Sequence, residues 1–317
     1  MMRAALYDRY GPPEVLYVGR VPMPSLGEGE VLVRVDAVSV NGGELHARAG
    51  RVRLLTGRRF PQRTGLDFAG EIVAVGDAVT GPREGDRVWG VMPRRRLGSA
   101  AEYVAVRPRH ISVAPAGLSP VQAASLPVTG TTAITALRDK ARLARGERLL
   151  VRGAAGGVGS MAVQLGKALG AHVTALAGVK NVGFVRELGA DEVFDYAATQ
   201  PSDLGAFDVV LDTVGTRHPA FRALLRPGGR MVAVAFDLKR ALPSIAYIVA
   251  SAAYGSRRVR FFSGNPVHDL LAELARLVES GTIRPVVDTV HSFADIAAAH
   301  RALEAGGVRG KHVVQIA

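Results

Sequence analysis

Seven residues, Gly153-Ala154-Ala155-Gly156-Gly157-Val158-Gly159, follow directly on the apolar run Arg148-Leu149-Leu150-Val151-Arg152. A strand that ends in glycines and gives way to a helix can bind phosphate. Small residues let the backbone approach a pyrophosphate, and the unpaired N–H groups of the helix N-terminus face the anion. Ala154 stands at the first glycine of the usual G-x-G-x-x-G pattern, while Gly156 and Gly159 keep the other two. An ordinary tight turn is the other reading of these glycines. The strand before them and the apolar helix over 160–169, closed by Gly170, favour a dinucleotide site formed by Gly153, Gly156, Gly157, Val158 and Gly159.

The next apolar strand, 172–176, runs into Ala177-Gly178-Val179-Lys180-Asn181. NAD-specific units carry Asp or Glu at the end of this strand to accept hydrogen bonds from the adenosine ribose. Here no acid stands at that position, and one cation does. A 2′-phosphate finds a partner in Lys180 rather than a repelling carboxylate, so the segment favours NADPH over NADH. The plainer reading of Lys180 is a solvated lysine opening the next helix.

The elements that position these residues fall into two patterns. Up to about residue 118 the chain reads as strands and turns, with alternation in Val31-Leu32-Val33-Arg34-Val35-Asp36-Ala37-Val38 and punctuation such as Gly11-Pro12-Pro13 and Gly81-Pro82. Helices are expected over 120–126 and 131–141. Strands follow at 148–152, 172–176, 192–195, 207–211 and 230–234, with a sixth at 259–262. Helices lie between most of them, at 160–169, 181–188 and about 216–225. Strands alternating with helices imply a parallel, doubly wound sheet. A helix over 269–280, a strand over 286–290, an alanine-rich helix over 295–305 and a last strand over 312–316 complete the chain.

Composition narrows the functional classes. At 317 residues, 48% of them hydrophobic, the chain can supply two cores. It has no cysteine, which excludes disulfides, thiolate zinc sites and a cysteine nucleophile together. No segment has the length of a membrane span, and the most apolar one, 242–253, is interrupted by Pro243. The N-terminus shows no signal-peptide core, so a soluble, cytoplasmic protein is expected. The net charge of +12 invites a nucleic-acid reading. Its arginines are scattered, however, and not interleaved with aromatics, so no nucleic-acid or membrane partner is expected.

Eight segments then carry a resemblance in consistent order: Ser39-Val40-Asn41, the run from Gly65 to Gly76, Gly85-Asp86-Arg87-Val88-Trp89-Gly90, Ala101-Glu102-Tyr103-Val104, Gly130-Thr131-Thr132-Ala133, the run from Gly153 to Gly159, Glu187-Leu188-Gly189-Ala190-Asp191 and Arg226-Pro227-Gly228-Gly229-Arg230. Over essentially its full length the chain resembles the zinc-free, quinone-reductase branch of the medium-chain dehydrogenases/reductases. The resemblance implies an α/β fold: a β-rich, GroES-like catalytic domain from 1–118 and 283–317, and a Rossmann domain over 119–282. It also implies an NADPH-dependent oxidoreductase that passes hydride to a small-molecule acceptor, a quinone or an α,β-unsaturated carbonyl. An NADPH-binding protein with weak or lost catalysis and an NADP-linked alcohol dehydrogenase are the alternatives.

By position, the resemblance assigns Asn41 to the cofactor ribose or the substrate carbonyl, with a turn-capping asparagine as the structural alternative. Thr132 corresponds to a contact with the nicotinamide carboxamide, and Tyr196 to a tyrosine over the adenosine phosphate. Val214 and Gly215, and Ala235 and Phe236, fall at carboxyl ends of strands, where open α/β sheets bind ligands. Phe262 and Ser263 resemble the segment passing the nicotinamide. Zinc-dependent members place Cys near Asn41 and Gly-His-Glu where Gly65-Leu66-Asp67 stands, so no metal is expected; His46 reads as a polar surface group and Asp67 as a structural acid. The loop Met92-Pro93-Arg94-Arg95-Arg96-Leu97-Gly98-Ser99 either meets an acidic substrate or is simply solvated. Relatives pair the edge strand near Val259-Arg260-Phe261-Phe262 across a two-fold axis, so a homodimer is expected, with Arg257 and Arg258 beside the seam and the 242–253 segment as the alternative cover.

Overall fold

The computed structural model describes residues 1–57, 59–93, 96–235, 247, 251 and 258–316. Phe236, Arg94, Arg95, Arg257 and nearly all of the 242–253 segment therefore lie outside the described residues. The chain divides into two compact units. The first holds Met1–Thr131, Asn265–Gly281 and Pro285–Ala317, and the second Thr132–Gly264 and Thr282–Arg284.

The first unit is β-rich. An antiparallel three-stranded sheet places β1 (Met2–Tyr7) between β2 (Tyr17–Val21) and β4 (Gln62–Arg63). A second sheet runs in the order β15 (Val287–Ser292), β16 (Lys311–Gln315), β3 (Val31–Ser39), β5 (Asp67–Val75), β6 (Arg87–Val91) and β8 (Ile111–Val113), with β7 (Tyr103–Val106) also paired to β3. The alternation of β3 does what a half-buried strand requires. Val31, Val33 and Val35 enter a core with Phe68, Ile72, Val88, Ile111 and Val314, while Arg34 points outward to Glu71 at 3.0 Å. The C-terminal strand is thus part of this sheet, with Val313 opposite Ser39 and Val314 opposite Val38.

The same unit carries the short helices α1 (Gly42–Arg48), α2 (Arg53–Thr56) and α3 (Pro120–Ala124). Ser119 and Gln122 form a reciprocal capping box at the start of α3, with Pro120 in the first turn, where its missing N–H costs nothing. Helix α4 (Pro127–Ile134) continues into π-helical turns over Thr135–Ala141 and stops at Arg142 in the left-handed conformation. The apolar stretch expected to start helically at 131 is therefore helical from 127.

The second unit is an all-parallel six-stranded sheet in the order β11 (Glu192–Asp195), β10 (His172–Ala177), β9 (Arg148–Arg152), β12 (Phe207–Asp212), β13 (Leu225–Ala233) and β14 (Arg258–Phe261). From β9 the chain winds outward to β10 and β11, then returns to the other side of β9 and winds outward through β12, β13 and β14. The direction of winding changes between β9 and β12, and ligands bind at such a switch point, beyond the carboxyl ends of the strands. Leu149, Leu150 and Val151 of β9 are fully buried, as a strand covered on both faces requires. Helices α5 (Gly157–Ala168), α6 (Val182–Glu187) and α7 (His218–Ala223) provide the crossovers.

Helix α5 begins three residues before the expected 160, because Gly156 N closes the turn onto the Gly153 carbonyl at 3.1 Å and the glycines themselves enter the first turn. Glycine's poor helix propensity hides that start from the sequence. The helix at 269–280 is α8 (His268–Glu279), which packs on β8 of the first unit, with His268 Nδ1 donating to the Ile111 carbonyl at 2.8 Å. Helix α9 (Ile296–Ala305) lies against β16. Among the described residues no helix is long and apolar enough to cross a membrane.

Candidate functional site

In the second unit the turn after β9 is shaped by two glycines for reasons internal to the protein. Gly153 has φ +71°, and a Cβ on it would stand 2.4 Å from Thr213 Oγ1. A Cβ on Gly159 would stand 2.1 Å from the Gly153 carbonyl oxygen, so only glycine lets α5 pack onto the turn. Gly156 is different. Its φ of −74° suits any residue, and a Cβ there would meet only the Gly153 oxygen, at an ordinary 3.5 Å. The fold alone does not require glycine at 156; the space is a cradle that a side chain would fill. Gly156 is also the N-cap of α5, with no side chain capping the first-turn amides of Gly157, Val158 and Gly159. These donors and the positive end of the helix dipole suit a phosphate.

One strand along, β10 ends at Ala177, and Gly178 and Lys180 follow in a tight turn. Tyr196 leaves the neighbouring β11 with its N–H bonded to the Ala177 carbonyl at 3.1 Å. Its ring stands beside Gly178, where a Cβ would lie 3.4 Å from Tyr196 Cε1, and the residue is 66% exposed. Gly178, Lys180 and Tyr196 thus share one rim of the sheet. The nearest acid in that rim, Asp195, turns its carboxylate to the Ala197 N–H at 3.1 Å.

Beyond β12 the loop 213–217 is held by a buried ionic group that sequence reasoning missed. Asp212, with no exposed surface, accepts hydrogen bonds from the backbone N–H of Val214 (2.9 Å) and Gly215 (3.2 Å). Arg152 Nη1 lies 2.9 Å from Asp212 Oδ1 and donates to the Thr216 carbonyl at 2.7 Å, while its guanidinium stacks 3.6 Å over the Phe221 ring. His218 Nε2 closes the group at 2.8 Å from Asp212 Oδ2. The loop amides are therefore turned inward to a carboxylate, and the Val214 side chain is left half-exposed near Gly153. The available signal was two charged residues, Arg152 and Asp212, each closing a mostly apolar strand.

Ala235 follows β13, after Val234 N–H bonds the Asp212 carbonyl at 3.0 Å. Phe262 and Ser263 leave β14 next to Gly264, where a Cβ would be 3.8 Å from Thr132 Oγ1. The second unit thus gathers Gly153, Gly156 to Gly159, Lys180, Tyr196, Val214, Gly215, Ala235, Phe262, Ser263 and Thr132 among the connections that follow or flank its strands.

In the first unit Asn41 occupies the N-cap position of α1, but its side chain does not cap the helix. Instead Nδ2 donates to the Ser39 carbonyl (3.1 Å) and to Glu44 Oε1 (2.9 Å), and Oδ1 accepts from Lys311 Nζ (2.7 Å). Lys311 also donates to the Val40 carbonyl at 2.6 Å. Glu44 Oε2 accepts from Thr64 Oγ1 and from Gly65 N–H, both at 2.9 Å. Asp67 accepts from the Ser39 N–H (3.1 Å) and hydroxyl (2.8 Å), and Ser99 donates to the Asp67 carbonyl at 2.8 Å. All of these residues are buried. Burial, then the neighbouring Asp67, pushes Glu44 up to about 7. Burial also raises Asp67 and lowers Lys311, against their mutual attraction.

This donor set does not fit a catalytic zinc. The residue at the expected thiolate position is an amide whose atoms are committed, Leu66 packs on the apolar core, and Asp67 is taken up by Ser39. Zinc prefers sulfur and imidazole.

Two family models match the chain: an alcohol dehydrogenase GroES-like domain over residues 27–116 and a zinc-binding dehydrogenase domain over residues 188–314. NAD(P)H oxidoreductase RTN4IP1, mitochondrial, of Mus musculus is 32% identical over all of this chain and 89% of its own length. The NADPH-dependent alkenal/one oxidoreductase, chloroplastic, of Arabidopsis thaliana is 33% identical over 99% of this chain and 79% of its own. The structure of the quinone oxidoreductase from Coxiella burnetii superposes with a TM-score of 0.91 at 30% identity, covering 100% of this chain and 99% of that one. The chain belongs to the quinone-oxidoreductase branch of the medium-chain dehydrogenase/reductase superfamily. Its first unit is the GroES-like β domain of that family and its second the Rossmann sheet.

Proposed function

We propose that this protein is an NADPH-dependent reductase that transfers hydride to a quinone or to the double bond of an α,β-unsaturated carbonyl, without a metal. The observation that carries the reading is the cradle at Gly156, opening on the uncapped N-terminus of α5 beside the switch point of the sheet. The rim of Gly178, Lys180 and Tyr196 supports NADPH over NADH, because it offers a cation and an aromatic face where an NAD site offers an acid. The Arabidopsis relative, named as an NADPH-dependent alkenal/one oxidoreductase, supports both the cofactor and the acceptor class.

When bound, the cofactor supplies the hydride, and an acceptor that is already electrophilic delocalises the incoming charge onto an oxygen. A few hydrogen-bond donors then suffice for its stabilisation. The residues of this chain bind and orient. The α5 amides hold the pyrophosphate, and Lys180 and Tyr196 hold the phosphorylated adenosine end. Thr132, Val214, Gly215, Ala235, Phe262 and Ser263 would serve the nicotinamide end, and Asn41 is assigned to the cofactor ribose or the substrate carbonyl. In this reading Asp212 and Arg152 fix the loop that carries Val214 and Gly215, so that the bound geometry is set before the acceptor arrives. The catalytic domain is read as 1–118 with 283–317 and the Rossmann domain as 119–282, although the compact units place residues 119–131 and 265–281 with the β-rich sheets; the absence of cysteine suits a reducing cytoplasm.

An NADPH-consumption screen across quinones, enones and enoyl thioesters tests the proposal. Turnover with at least one acceptor class is expected; tight NADPH binding with no turnover on any would favour a binding protein instead. A homodimer belongs to the same reading. Among the described residues β14 is the outer strand of its sheet, and Phe261 on it is 40% exposed. Sedimentation at micromolar concentration should show a dimer, and a purely monomeric species removes that part of the proposal.

A further inference from the structure

The last two strands of the β-rich unit bring a pair of histidines together. β15 and β16 run parallel with Thr289 opposite His312, and His291, two residues further along β15, belongs to the same face. His291 Nε2 lies 3.4 Å from His312 Nδ1. The ring centroids are 5.4 Å apart, so each ring turns that nitrogen towards the other. A separation of 3.4 Å is long for a hydrogen bond. It matches the spacing of two imidazole nitrogens on one tetrahedral zinc ion, about 3.3–3.4 Å for bonds of roughly 2.0–2.1 Å. His312 is buried, but His291 is partly exposed on a strand whose Asp288, Thr289 and Val290 reach solvent. Among the described residues β15 is the outer strand of its sheet, so an ion can arrive from its open edge.

We propose that His291 and His312 form a binding site for a divalent transition-metal ion of the zinc type, which staples the outer strand β15 to β16. The role is structural and independent of hydride transfer. Imidazole is a ligand that zinc, copper and nickel share. Burial lowers both rings from the usual imidazole value, which keeps them in the neutral form that metals bind. Asp288 faces both rings and adds negative charge, Asp295 faces His291, and Lys311 faces His312. Among the described residues no third histidine, cysteine or carboxylate completes the set, so water fills the remaining positions. The other histidine beside carboxylates, His172, is a poorer site. Its partners Asp191 and Glu192 are already neutralised by Lys167 at 2.7 Å and Arg148 at 3.5 Å.

Zinc chloride titrated into the full chain without an affinity tag, followed by calorimetry, tests the site. One ion should bind per chain with a dissociation constant on the order of 10 µM, as two protein ligands out of four imply. At a tenfold excess over that constant the melting temperature should rise by about 2 °C. His291→Gln and His312→Gln should each weaken zinc at least about tenfold and remove the thermal shift. A melt without zinc shows whether each variant is folded. Should His312→Gln not fold, because that ring is buried, His291→Gln on the exposed strand reads the pair alone. His172→Gln should bind zinc as the wild type does. Absence of one-to-one binding overturns the proposal, as does wild-type affinity in His291→Gln. A loss confined to His172→Gln would place the ion at Asp191 and Glu192 and overturns it equally.

Discussion

At the end of β9 the polar groups left uncapped by any side chain are the first backbone amides of α5, and the residues around them are small. Around Asn41 they are side chains: two carboxylates, an ammonium, an amide and three hydroxyls, all buried. The turn depends on steric clearance, with Gly153 and Gly159 each blocked by neighbouring atoms at less than 3 Å from a notional Cβ. The cluster depends on charge balance, since each buried ion is tolerable only with its partner present. One region should therefore fail by collision and be indifferent to pH, and the other should fail by titration.

The largest effect expected from this contrast is at Gly159. Gly159→Val drives a branched side chain into the Gly153 carbonyl and should cost more than about 4 kcal/mol, with cofactor binding lost along with the fold. Gly156→Val separates the two. Its stability should stay within roughly 1 kcal/mol of wild type, because its backbone and surroundings accept a side chain. NADPH affinity should still fall at least about a hundredfold, roughly 2.7 kcal/mol, because the cradle is filled. Calorimetric melting beside a fluorescence titration checks both, and near-normal affinity in Gly156→Val would show that the turn is not the phosphate site.

The cluster should answer to pH. Glu44 titrates near 7 in the folded protein against 4.5 in the unfolded chain, so between those values the folded chain holds a proton that the unfolded chain has released. Stability present below the lower value is therefore lost as pH rises through 7, by on the order of 3 kcal/mol. In Glu44→Gln that slope should flatten, although the amide now meets donors at Thr64 or Asn41 and the whole curve sits lower. Urea unfolding at several pH values reads the slope directly, and an unchanged slope would place the titration elsewhere. The smallest effect is expected at the rim. Lys180→Ala should weaken NADPH about tenfold, roughly 1.4 kcal/mol, and leave NADH unchanged. Equal losses for the two cofactors would detach Lys180 from the 2′-phosphate.

These two regions also differ in how far they could be read in the sequence. The turn lies within seven consecutive residues between a strand and a helix, so its pattern survives in one dimension; only the start of α5 was misplaced, because glycines conceal a helix's first turn. The alternation of β3 and the strands of the parallel sheet were legible for the same local reason. The Asn41 cluster draws on positions 39, 41, 44, 64, 67, 99 and 311, and no local pattern joins them. Glu44 and Lys311 pass for surface residues in sequence, as charged residues mostly are. Asp67 could be taken as a structural acid, but its partner Ser39 lies 28 positions away on another strand. Arg152 and Asp212 were hidden in the same manner, each ending a strand whose apolar residues gave the stronger signal.

The sequence by itself determined the family, the division into a β-rich and a parallel-sheet segment, the glycine turn after β9 and the missing acid after β10, because each is written in neighbouring residues. The tertiary structure alone decided which strands lie side by side, and with that where buried charges find their partners. Pairing β16 with β3 is what turns Lys311 from a solvated lysine into the fixed donor on the Asn41 oxygen. A charge can be buried only where its counter-charge is brought to meet it, and in this chain that meeting is made by sheet register across 270 residues.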